Sequence, residues 1–299
     1  MILVVGEILH DVFPNYKRLG GAPFNFAFHL KNLGFPVRFV SRVGNDADGK
    51  DILGKLEQFG FNLDDIQMDP LHPTGSVQIR LEENGVPNFK IIPDVAYDYI
   101  EFIHEVHAPL IHKSELIYFG SLVQRSKSGF NNIHAILSCK PPSGRCFYDI
   151  NLRPACYSNE VVMTSLSQAN ILKINHEEFD EVRRILQYKN DPDTFIQYLM
   201  DTYPLEVLSL TKGDRGSEIY TPTGFFGVGT KRIENIVDSV GAGDAYAAML
   251  AAGLLERWRP ETILRRATAF ASRICQVQGA IPDTESFYKP FTQMINRGE

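Results

Sequence analysis

Short apolar runs that stop at a glycine or a polar residue, alternating with helical stretches, constrain this chain more than any other feature. Ile2 to Val5 is apolar throughout and ends at Gly6. A run without polar alternation suits a strand buried on both faces, as in a parallel sheet. After a Gly-Gly-Ala-Pro break, Phe24, Ala27, Phe28 and Leu30 fall on one face of a predicted helix from Phe24 to Leu33, and Gly34 is a natural stop. Val37 to Val43 predicts the next strand, and Gly49 to Phe59 an amphipathic helix ended by Gly60. The rhythm returns in strands at Leu116 to Phe119, Arg145 to Asp149, Ile171 to Ile174 and Val207 to Thr211, with helical segments such as Glu177 to Tyr188 between them. Strand–helix alternation of this kind predicts an α/β fold with a mostly parallel central sheet.

One stretch breaks the rhythm. From about Thr74 to Ile92, Val77, Ile79 and Leu81 alternate with Gln78, Arg80 and Glu82; Asn84-Gly85 is a hairpin signal, and Phe89 and Ile91 lie on a return strand. A half-polar hairpin inside a βαβ chain is expected to be an insertion, a small β-sheet lid over a pocket. A last hairpin is expected over Ser217 to Gly227. Beyond the loop Asp238 to Asp244, two helices follow, Ala245 to Leu255 and Glu261 to Gln276.

Composition limits the function classes. With 30 Lys and Arg against 36 Asp and Glu, the formal charge of the 299-residue chain is −6, which argues against nucleic acid or an anionic membrane as the main partner. The opening MILVVGEILHDVF has no basic leader and is interrupted by Glu7 and Asp11, so it reads as a strand and a polar turn and not as a signal peptide. No run of about 18 apolar residues exists, so no membrane span is expected. Cys139, Cys146, Cys156 and Cys275 show no CxxC spacing, and a reduced, cytoplasmic protein with free thiols is the expectation.

The sharpest local feature is Asp238-Ser-Val-Gly241-Ala242-Gly243-Asp244, which feeds a helix. Such a turn exposes backbone N–H groups at the positive end of the helix dipole, an anion site suited to a transferring phosphoryl group. A carboxylate there, Asp244, can take a proton from an attacking alcohol. Alone, the same residues also read as a tight turn with Asp244 as a capping residue. Two other patterns are decoys. Gly44 to Lys50 has the spacing of a Walker A loop, but Asp51 replaces the metal-binding hydroxyl, and Asp46 and Asp48 put negative charge into the cradle. His104, His107 and His112 have no carboxylate or thiolate to complete a metal set.

Several motifs in order give the chain a wider resemblance. They are Gly6-Glu7 with Asp11, Gly20-Gly21-Ala22-Pro23-Phe-Asn25, Val43 to Gly49, Gly120-Ser121-Leu122, Asp149-Ile-Asn151-Leu-Arg153-Pro154, Lys173-Ile-Asn175-His-Glu177-Glu178, Thr211-Lys-Gly213-Asp-Arg-Gly216 and the Asp238 to Asp244 loop. Over nearly its whole length the chain resembles the ribokinase-like, pfkB-type carbohydrate kinases, and its Gly-Gly-Ala-Pro motif is most similar to the fructokinase branch. The resemblance implies one kinase domain over residues 1–299, a three-layer α/β/α sandwich with a small lid formed by about residues 12–20 and 74–95. It implies sugar contacts from Asp11, Gly20, Gly21, Asn25, Gln78, Arg80, Asp149, Asn151 and Arg153. It assigns ATP contacts to Lys173, Asn175, Thr211, Gly213, Gly216, Gly241 and Gly243, and catalysis to Asp244 with the Gly241, Ala242 and Gly243 backbone. Mg²⁺ would be met through water by Asn175 and Glu178, and K⁺ by Asp238 and the Val240 carbonyl. Lys212, Tyr246, Met249 and His176 depart from the usual family residues.

What this resemblance implies is an ATP-dependent transfer of a γ-phosphoryl group to a primary sugar hydroxyl, fructose first. Ribose, 2-keto-3-deoxygluconate, an adenosine-like nucleoside or a phosphorylated sugar are the alternative acceptors, and a non-catalytic sugar- or nucleotide-binding protein is the alternative class. A dehydrogenase of the dinucleotide-binding type is disfavoured, because Gly6-Glu7-Ile8-Leu9 is not the glycine-rich turn it requires. A homodimer paired through the lid is a further expectation.

Overall fold

Ile2–Val5 forms the strand β1, buried along its whole length, and its residues alternate between two apolar cores. Ile2 and Val4 pack into one core with Phe24, Phe26 and Phe270, while Leu3 and Val5 pack into the other with Ile117, Tyr148 and Leu172. This period-two alternation places β1 in the middle layer of a three-layer α/β/α arrangement. The computed structural model describes residues 1–81, 87–229, 235–282 and 285–296.

The remaining strands are β2 (Leu9–Val12), β3 (Lys17–Gly20), β4 (Val37–Gly44), β5 (Ile66–Asp69), β6 (Ser76–Leu81), β7 (Pro87–Ile91), β8 (Leu116–Gly120), β9 (Arg145–Asp149), β10 (Ile171–Asn175), β11 (Val207–Thr211), β12 (Ser217–Thr221) and β13 (Gly224–Val228). Nine of them build the main sheet in the order β13-β12-β11-β10-β9-β8-β1-β4-β5. All neighbours in it are parallel except β11–β12 and β12–β13. The apolar runs of the sequence are thus the buried parallel strands, and the polar-edged hairpin at the end closes one side. On one face lie the Ala22–Asn32, Ala242–Leu255 and Pro260–Ile274 helices. The opposite core takes Ile133, Val162, Val182 and Leu199 from helices on the other face.

A second sheet has the order β3-β2-β6-β7. Its two hairpins are antiparallel and are joined by the parallel pair β2–β6, with Asp11 opposite Val77. Val77 and Ile79 face inward and are buried, so Gln78 points to the other side. The sheet is tied to the body by His10, whose Nε2 lies 3.0 Å from Asp51 Oδ2 in the Ala47–Gln58 helix. The predicted Asn84-Gly85 turn lies outside the described residues. β2, β3 and β5 are four residues long like β1 but of mixed polarity, so no continuous apolar run marks them in the sequence; β3 falls within the predicted lid segment of about residues 12–20.

One boundary matters for the site. The sequence predicts a helix from Ala245, but it begins at Ala242 with Gly241 as its N-cap. Asp244 is therefore in the first helical turn and not in the loop before it. Gly241 has φ +78°, and a Cβ there would come within 2.4 Å of Ala280 Cβ, so the turn requires glycine. The Walker-like segment is also explained. Asp46 caps the Ala47–Gln58 helix through Gly49 N (2.7 Å) and binds both Thr74 N (2.8 Å) and Thr74 Oγ1 (2.7 Å). Among the described residues no group of three or more His, Cys, Asp or Glu could hold a metal ion, and His107 accepts the Ile103 N–H (2.8 Å). No helix among them is long and apolar enough to cross a membrane.

Candidate active site

The carboxyl ends of β1, β9, β10 and β11 fall at one edge of the main sheet, where open α/β sheets bind ligands. The residues that terminate them are set side by side by register: Lys173 opposite Asp149, and Asn175 opposite Thr211. Above this edge opens a cavity of about 1500 Å³, walled on one side by the small sheet and on the other by the first turn of the Ala242–Leu255 helix.

At the helix end, the N–H groups of Gly243 and Asp244 have no backbone acceptor among the described residues, whereas Ala242 N is bonded to Ser239 O (3.3 Å). Beside them stands Lys173: a Cβ added to Gly243 would lie 3.3 Å from its Nζ. The ammonium donates to Asp149 Oδ1 at 2.9 Å, and Asp149 Oδ2 accepts from Tyr118 at 3.1 Å. Burial works against the Lys173 charge, but Asp149 and Glu178 outweigh it and hold its pKa above the ordinary lysine value. Two free amides, a helix dipole and a fixed cation converge on one spot, a site for a multiply charged anion.

Asp244 is half-buried on the cavity wall. Asn25 Nδ2 donates to its Oδ2 at 2.7 Å, and Asn25 N donates to Gly21 O at 2.9 Å, which anchors the pair on the start of the Ala22–Asn32 helix. Desolvation pushes the Asp244 carboxyl up to about 6, against the Asn25 hydrogen bond, which lowers it. Asp11 stands across the cavity, also raised to about 6 by burial and partly offset by Arg153. Gly20 makes room for it, since a Cβ there would meet Asp11 Oδ2 at 2.6 Å.

The sequence-predicted residues Asp11, Gly21, Asn25, Asn151, Arg153, Lys173, Asn175, Glu178, Thr211, Asp238, Val240, Gly241, Gly243 and Asp244 all line this cavity. Others do not. Asp149 is fully buried and reaches the cavity only through Lys173. Gln78 points away from it because the buried face of its strand belongs to Val77 and Ile79. Arg80 is on the same strand, but its side chain lies outside the described residues. Gly216 (φ +100°) shapes the turn before β12, where a Cβ would meet Val228 O at 2.0 Å. Gly213 has φ +60° and open space where a Cβ would sit. Next to them a shallow depression is lined by Lys212, Arg215, Glu218 and Gly229, with Lys212 paired to Glu218.

Asn175 and Glu178 form a reciprocal capping box. Asn175 Oδ1 accepts from Glu177 N and Glu178 N, while the Glu178 oxygens accept from Asn175 N (2.9 Å) and Leu152 N (3.0 Å). The Asp238 oxygens accept from Val240 N and Gly279 N, both at 3.0 Å, and Arg18 Nη1 is 3.6 Å away. Tyr246, a departure from the family pattern, gains a hydrogen bond to Ser209 at 2.9 Å. Sequence reasoning missed four charged groups on the cavity wall as site residues: Glu7, Arg18, Lys90 and Arg125. Glu7 carried a usable signal, a carboxylate directly after a fully buried strand; Arg125 carried none, because its partner Asp98 is distant in sequence.

The family model for pfkB family carbohydrate kinases matches residues 5–286. The chain is similar to a fructokinase of Salmonella typhimurium, 26% identical over 270 residues that cover 87% of this chain and 86% of that protein. It is similar to a 5-dehydro-2-deoxygluconokinase of Geobacillus thermodenitrificans, 25% identical with 86% of this chain and 78% of that protein covered. Its fold is similar to the crystal structure of a fructokinase from Xylella fastidiosa with bound ATP, at a TM-score of 0.82, 22% identity, and 100% and 99% coverage of the two chains.

Proposed function

The chain belongs to the pfkB family of carbohydrate kinases and is an ATP-dependent sugar kinase, and from that premise we propose that it phosphorylates a primary hydroxyl of fructose, with Asp244 as the base. The observation that carries the reading is Asp244 itself, a carboxyl raised to about 6 and held by Asn25, one helical residue after the amide of Gly243. Asp244 takes the proton of the acceptor hydroxyl as that oxygen bonds to the γ-phosphorus and the bond to the leaving diphosphate breaks. The Gly243 and Asp244 amides and Lys173 hold the phosphoryl oxygens, with Asp149 keeping Lys173 charged and in place. Asp11 and Asn25 grip sugar hydroxyls, and the small sheet acts as a lid that excludes water. Fructose rests on the fructokinase relatives at low identity.

Asn175 and Glu178 fit an outer-sphere role toward Mg²⁺: each Glu178 oxygen accepts one backbone N–H and retains acceptor capacity for a metal-bound water. When bound with the nucleotide, the ion neutralises phosphate charge. Asp238 and Val240 fit K⁺ only in part, because Arg18 Nη1, 3.6 Å from Asp238 Oδ2, already supplies a positive charge there; replacing potassium by sodium salts in the assay tests the ion directly. Cytoplasmic residence agrees with four unpaired cysteines. A homodimer paired through the small sheet is part of this reading, and light scattering reads that association.

The test is a panel of fructose, ribose, 2-keto-3-deoxygluconate and adenosine with ATP and Mg²⁺, followed by ADP release. Fructose is expected to have the highest kcat/KM; a higher value for another acceptor rejects fructose.

A further inference from the structure

Glu7 follows β1 and lines the cavity, yet it is only 3% exposed. Its Oε2 is closed off from solvent and has no hydrogen-bond partner. A buried carboxyl kept for structure is normally paired, because an unpaired one is costly. The carboxyl meets its own backbone N–H, and the nearby cations do not fill the need that remains at Oε2. Arg125 is committed to Asp98, donating at 2.7 and 2.8 Å, and to Ile92 O at 2.7 Å. Arg153 acts on Glu7 only through its charge. Glu7 is also placed where an acceptor must lie. Its carbonyl packs so tightly on Gly21 that a Cβ there would come within 2.6 Å, and Gly21 O receives the Asn25 N–H. Asn25 in turn holds Asp244, while its own Oδ1 is a second buried acceptor without a partner. Glu7, Gly21, Asn25 and Asp244 are therefore one contiguous wall with two unsatisfied oxygens on it.

We propose that Glu7 is a specificity-determining residue of the acceptor subsite, its carboxyl receiving a hydroxyl of the sugar beside the one that Asn25 Oδ1 receives. The inference rests on the reading of this side of the cavity as the acceptor side. The substrate class it implies is a polyol or sugar that presents two donor hydroxyls next to the reacting one. Burial pushes the Glu7 carboxyl up to about 7, so near neutral pH it can both accept and donate toward a hydroxyl. A site built around a hydroxyl rejects an analogue that lacks it, since the protein group is then left unpaired.

The experiment uses Glu7→Gln, nearly isosteric, and Glu7→Ala. Each is assayed with whichever of fructose, ribose, 2-keto-3-deoxygluconate or adenosine the wild type phosphorylates with the highest kcat/KM, so that failure of the fructose reading is separate from failure of this one. The single-deoxy analogues of that acceptor complete the set. Glu7→Gln is expected to raise the acceptor KM about tenfold or more, leaving the KM for ATP unchanged. For one deoxy analogue, wild type and variant should be equally poor, the non-additivity that marks a shared contact. Strictly additive losses for every analogue, an unchanged acceptor KM, or equal rises in both KM values overturn the proposal. Should Glu7→Ala fail to fold, the Glu7→Gln cycle still decides.

Discussion

A carboxyl that takes a proton near neutral pH works best when it is ionised yet more basic than a solvated aspartate. Asp244 meets both conditions through opposing causes: burial raises it and the Asn25 amide restrains the rise. The sign of the pH dependence follows. As the proposed base, Asp244 must be ionised, so kcat is expected to be lost as pH falls through about 6, and the acid limb of a pH–rate profile should lie there. Asn25→Ala removes the donor that favours the charged form, so its acid limb should move to higher pH; a limb that stays put would remove Asn25 from the account. Asp244→Asn should lower kcat by roughly 10²–10⁴ with little change in acceptor KM, read by steady-state kinetics.

At the scale of elements, two acidic helix starts look alike in sequence and do different work. Asp46 is bound on both oxygens by Gly49 and Thr74 and is a cap that joins the Ala47–Gln58 helix to the entry of β6. Asp46→Ala should cost about 1–3 kcal/mol in denaturant unfolding, with turnover per folded molecule unchanged. Gly241 starts the other helix with a left-handed conformation against Ala280 and no side-chain cap. Its lack of a capping side chain leaves the first-turn amides open to the ligand. Gly241→Ala should cost about 1–3 kcal/mol and also lower kcat by about tenfold or more, because the amides it positions move. A variant of normal turnover and lower melting temperature would reduce Gly241 to a structural glycine.

Across the whole molecule, the site is where the small sheet, the carboxyl edge of the main sheet and the Ala242–Leu255 helix meet. That convergence collects Glu7, Asp11 and Asp244 in one poorly solvated space, each with a raised pKa. An acid whose pKa is raised on folding binds more protons in the native state, so its contribution to stability falls as pH rises from the unfolded to the folded pKa. For Asp244 that window runs from the ordinary 3.8 to about 6. Asp244→Asn should therefore be more stable than wild type above pH 6 by on the order of 1–2 kcal/mol, after discounting for the open cavity, and the gain should vanish near pH 4. Melting curves of both proteins across that range check it; a gain independent of pH would mean the ionisation is not the source.

The amino-acid sequence by itself determined the parallel α/β layering, because continuous apolar runs can be satisfied only by strands covered on both faces. It also marked the Gly241 to Asp244 turn, where glycine spacing is a local backbone requirement, and its ordered motifs carried the kinase family. Only the tertiary structure decided which marked residues meet. Register brought Lys173 onto Asp149 and took Asp149 off the cavity wall. The pleat of β6 turned Gln78 away. The contact between Asn25 and Asp244 spans 219 positions, and Glu7 Oε2 became a buried oxygen without a partner only in the packed chain. Burial, register and long-range pairing are properties of the packed chain, and local patterns carry no record of them.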